Sequence, residues 1–70
     1  MSINLESYEA QVAMGALFDT VRSDIEDGYR ATANDNLRIA RLFIPALKTK
    51  DRDTYETIAE ELQAIIDQMV

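Results

Sequence analysis

Seventy residues make one domain at most, and a chain of that size buries only about 60% of the surface it exposes when unfolded. With neither Cys nor His, disulfides are excluded and zinc would have to be held by carboxylates alone. The remedies left to so small a domain are oligomerisation or unusually good helix packing, so a homodimer or a complex with another chain is expected.

The net charge of −6 is unevenly spread. Residues 1–28 carry six acids and the single base Arg22. Residues 29–52 carry six bases against Asp35 and Asp51, and residues 53–70 carry five acids and no base. A basic middle segment between two acidic ones is an instruction for how helices should lie, with acidic flanks facing Arg38 and Arg41. Exposed pairs of that kind contribute only a few tenths of a kcal/mol each, so they choose an arrangement rather than hold it together.

In the first segment Ala10, Met14, Leu17, Phe18, Val21, Ile25 and Tyr29 recur at three- and four-residue steps, one face of a helix. Ile3 falls on the same line. Asp27 and Gly28 make a plausible stop, with Gly28 free to turn left-handed and Tyr29 placed to fold back on Ile25. The expected helix spans about 5–27. Its far side carries a second apolar set, Leu5, Tyr8, Val12 and Ala16, which turns polar at Asp19 and Ser23.

A second helix over about 33–48 is expected, capped by Thr32 or Asn34. Thr32 with Asp35 resembles a capping box, although the usual third residue is Glu or Gln. Its apolar residues, Ala33, Leu37, Ile39, Ala40, Leu42, Phe43, Ile44, Ala46 and Leu47, cover more than half the circumference, so it should be touched from two sides. Pro45 removes one backbone bond and disfavours helical geometry at Ile44. Because apolar spacing continues to Leu47, the expectation is a kink rather than an end.

After a connection at 48–52, a third helix over about 52–69 is expected, capped by Asp51 or Asp53, with Asp53 and Glu56 forming a D-x-x-E box. Tyr55, Ile58, Ala59, Leu62, Ile65, Ile66 and Met69 form its stripe. Part of that stripe also reads as two heptads of a coiled-coil seam, too few to prefer that over bundle packing. Short connections favour antiparallel neighbours. The whole is an all-α three-helix bundle: a long first helix, a kinked central one and an amphipathic third.

Chemistry is hard to assemble from these residues. Without His or Cys, no nucleophile–base pair sits in a recognisable frame. The carboxylates Asp24, Glu26 and Asp27, and Glu60 with Glu61, would need a concave pocket to work as acid and base, and a solvated acidic face is far commoner. Asp51-Arg52-Asp53 and Asn34-Asp35-Asn36 faintly resemble calcium ligands but lack the twelve-residue loop with its central Gly and terminal Glu. No glycine-rich phosphate loop is present. No enzymatic activity, metal or cofactor is therefore expected, and direct nucleic-acid binding is disfavoured by the net negative charge.

The N-terminal residues lack the basic start and apolar stretch of a secretory leader. The longest run without a polar side chain, 12–18, is far short of the roughly 20 residues that span a bilayer. A cytoplasmic protein without membrane contact is the expectation.

In an antiparallel hairpin, a first helix of roughly 34 Å overhangs a second of roughly 24 Å, and the overhang holds Leu5 and Tyr8. Leu5, Tyr8, Val12 and Ala16, extended by Ile39 and Leu42 on the central helix, are the candidate protein interface. The expected function is a small acidic regulator or inhibitor that occludes a partner's surface. A self-assembling scaffold homodimer is the alternative, as is an acidic decoy presenting carboxylates where phosphates would sit in a nucleic-acid-binding protein.

Overall fold

Helix α1 runs Ser7–Glu26, α2 Arg30–Arg41 and α3 Thr49–Asp67, with a 3₁₀ turn over Ile44–Ala46 between α2 and α3. The computed structural model describes residues 7–69, and among these there is no strand. Leu5 and the expected start of the first helix there lie outside the described residues. The bundle measures 36 × 19 × 19 Å, and a twenty-residue helix of about 30 Å accounts for most of its long axis.

Three polar cross-links fix an up–down–up course. Asn36 Nδ2 donates to Asp24 Oδ2 at 2.8 Å, joining α2 to the end of α1. Gln11 Nε2 donates to Asp51 Oδ2 at 3.0 Å, holding the starts of α1 and α3 together. Gln63 Nε2 donates to Asn34 Oδ1 at 3.2 Å near the opposite end.

The stop at Gly28 is as the sequence implies. Gly28 takes φ of +79°. Its N–H bonds Ile25 O at 3.1 Å while the Tyr29 N–H bonds Asp24 O at 2.8 Å. Those two bonds make a Schellman motif, which satisfies carbonyls the helix would otherwise leave bare. The closure is made by backbone, and the Tyr29 ring is 59% exposed. The two glycines should therefore respond oppositely to alanine, although at neither would an added Cβ meet an atom within 4 Å beyond the adjoining residues and, at Gly15, its own helix backbone. Gly28→Ala should destabilise by about 1 kcal/mol because it forces a left-handed Cβ. Gly15→Ala, inside α1, should stabilise by a similar amount. Urea titration of the two variants reads both signs.

Helix α2 begins earlier than the cap residues suggested. Tyr29 is its N-cap and makes no side-chain cap bond. Its carbonyl accepts from the Ala33 N–H at 2.9 Å. The Schellman turn delivers the chain directly into α2, so Thr32 and Asn34 fall inside the helix.

The expected kink at Pro45 is replaced by an end. Helix α2 stops at Arg41, and the next bonds are tight, from the Leu42 N–H to Ile39 O at 3.0 Å and from Phe43 to Ala40 O at 3.1 Å. Pro45 is the second residue of the 3₁₀ turn, ahead of its first N–H donor Ala46, so its missing N–H costs nothing, and Leu47 is extended. Continuity of apolar spacing to Leu47 is met by that turn, which buries Ile44 and Leu47 without a helix. The Arg52 guanidinium ties the turn down, donating to Leu47 O at 2.9 Å and Pro45 O at 3.0 Å.

Helix α3 also starts early, at Thr49 after an extended Lys48, with no side-chain cap bond. Asp51 sits in its first turn, where a carboxylate favours the helix dipole. It accepts from Gln11 on α1 instead of capping its own helix.

The core draws Ala10, Met14, Phe18 and Val21 from α1, and Ala33, Leu37 and Ala40 from α2. Ile44 and Leu47 come from the connection, and Ala59, Leu62 and Ile66 from α3. No polar side chain is buried among the described residues. Phe18 and Tyr55 stack with ring centroids 6.0 Å apart, locking α1 to α3. Packing is most extensive between α1 and α2, whose buried residues include the small Ala10, Ala33 and Ala40. Helix α2 also contacts α3, as its broad apolar surface requires. Ile65, expected in the α3 stripe, is 46% exposed, because it lies about 100° round the helix from buried Ile66.

Candidate interaction surface

Tyr8 is 75% exposed and Val12 56%, and Ala16 is exposed beside them. Spacing of four residues sets the three in one strip, on the side of α1 opposite Met14 and Val21. The same reasoning that buries Met14 and Val21 leaves this strip with no helix of its own chain to cover it. Exposed Glu9 lies alongside, and exposed Asp19 follows one turn after Ala16. Arg22 is drawn to Asp19 at 3.1 Å, so the nearest base on α1 is already engaged.

Leu42 is 52% exposed and Ile39 38%. Leu42 faces away from Leu37 and Ala40 on α2 as Val12 faces away from the core on α1. Since α1 and α2 pack core face to core face, Leu42 points away from the Tyr8–Val12 strip and belongs to a second patch. Ile39 lies between that patch and the core. Exposed Arg38 borders the patch, whereas Arg41 turns toward α3, and exposed Lys48 and Lys50 follow later in the chain.

Acids and bases meet on the α2–α3 seam without closing into ion pairs. A cleft of about 310 Å³ is lined by Arg41, Ile44, Pro45, Glu56, Ala59 and Glu60. A second, of about 450 Å³, is lined by Arg30, Ala31, Asn34, Ile66 and Asp67. Both ion pairs within 4.0 Å among the described residues are inside one helix, Arg22 with Asp19 and Arg38 with Asp35 at 4.0 Å. The expected pairing of Arg38 and Arg41 with acidic neighbours on other helices is therefore looser than foreseen: Arg41 reaches Ala59 O at 3.5 Å instead of a carboxylate. Long side chains at a wet seam lose more rotamer freedom by pairing than a screened contact returns.

The acidic residues are spread along the helices. Asp24, Asp51 and Asp67 each accept from a side-chain amide, and no group of three or more metal-capable side chains occurs among the described residues. No helix among them is long and apolar enough to cross a membrane. The seam clefts and the amide–carboxylate cross-links went unforeseen, because single polar contacts between helices leave no periodic trace.

Comparison with protein-family models, curated proteins and solved structures returns no match for this chain. The function must be argued from its own surface.

Proposed function

We propose that the chain is a non-enzymatic protein-binding module, a regulator or inhibitor that acts by occluding a surface of another polypeptide with the outer strip of α1. The observation that carries this is the Tyr8, Val12 and Ala16 strip: exposed apolar side chains at helical spacing, backed by a fully packed core face. Side chains spaced this way are the anchors with which a helix lies in an apolar groove. Carboxylates beside them tune encounter rate and choice of partner more than affinity.

Tyr8→Glu combined with Val12→Glu should leave helicity unchanged by circular dichroism, because both side chains face solvent. It should abolish co-purification of the partner that wild type retains from its native host and lower affinity for that purified partner by at least about a hundredfold, two apolar anchors of roughly 1.5 kcal/mol each. Unchanged affinity overturns the reading. Salt separates it from the acidic-decoy alternative, since an apolar contact survives about 1 M salt while a contact made by exposed carboxylates collapses.

A further inference from the structure

We draw no further inference here: the strongest candidate, the exposed apolar patch of Leu42 and Ile39 at the end of α2, has nothing in the structure to show what covers it.

Discussion

Phe18→Ala should cost the chain roughly half of its stability at room temperature. Phe18 is 2% exposed, packs within the shared core and stacks on Tyr55 across the α1–α3 contact. Truncating a buried phenylalanine costs about 3–5 kcal/mol, the lost transfer energy plus the cavity left behind. At roughly 0.05–0.15 kcal/mol per residue, a domain this small has about 4–10 kcal/mol in total. The loss is of the same order as the whole. Far-ultraviolet circular dichroism against urea measures it, and Phe18→Leu, which keeps much of the volume, should retain a cooperative transition. A Phe18→Ala variant as stable as wild type would mean that α3 does not depend on this contact.

Ala40→Glu should be at least as damaging, whereas Leu42→Glu, two positions later, should shift stability by no more than about 0.5 kcal/mol. Ala40 is 0% exposed and faces an interior with no buried polar side chain among the described residues. A carboxylate there would be stripped of water with nothing to pair it, a cost of several kcal/mol, and its bulk would push α1 and α2 apart. Leu42 faces solvent at 52% exposure. Thermal melts of the pair test the register of α2: similar melting temperatures would place the helix the wrong way round.

That register was legible in the sequence, and so was most of the core. The three- and four-residue steps from Ala10 to Val21 and the stripe of Ala59, Leu62 and Ile66 are buried as the periodicity requires. Gly28 was legible because a left-handed turn after a helix leaves few other candidates. The beginnings of α2 and α3 were not, because neither helix starts on a side-chain cap. In α2 the preceding turn supplies the start, and in α3 Asp51 is taken by Gln11. Pro45 set two tendencies against each other, a continuing apolar pattern and a backbone that cannot continue. The backbone prevailed because a 3₁₀ turn satisfies both.

The surface divides along similar lines. Exposure of Tyr8 and Val12 followed from helical spacing, which places them opposite the core residues. That Leu42 forms a patch of its own did not, since it depends on how α1 and α2 face each other.

A core held by shape alone has a consequence for how such a chain can change over time. No interior amide, hydroxyl or charge among the described residues dictates its neighbour. Aliphatic side chains of like volume can therefore trade places one at a time without loss of the architecture. Relatives would then keep little lettering in common inside, and whatever resists drift would be found on the outside, where the molecule meets its surroundings.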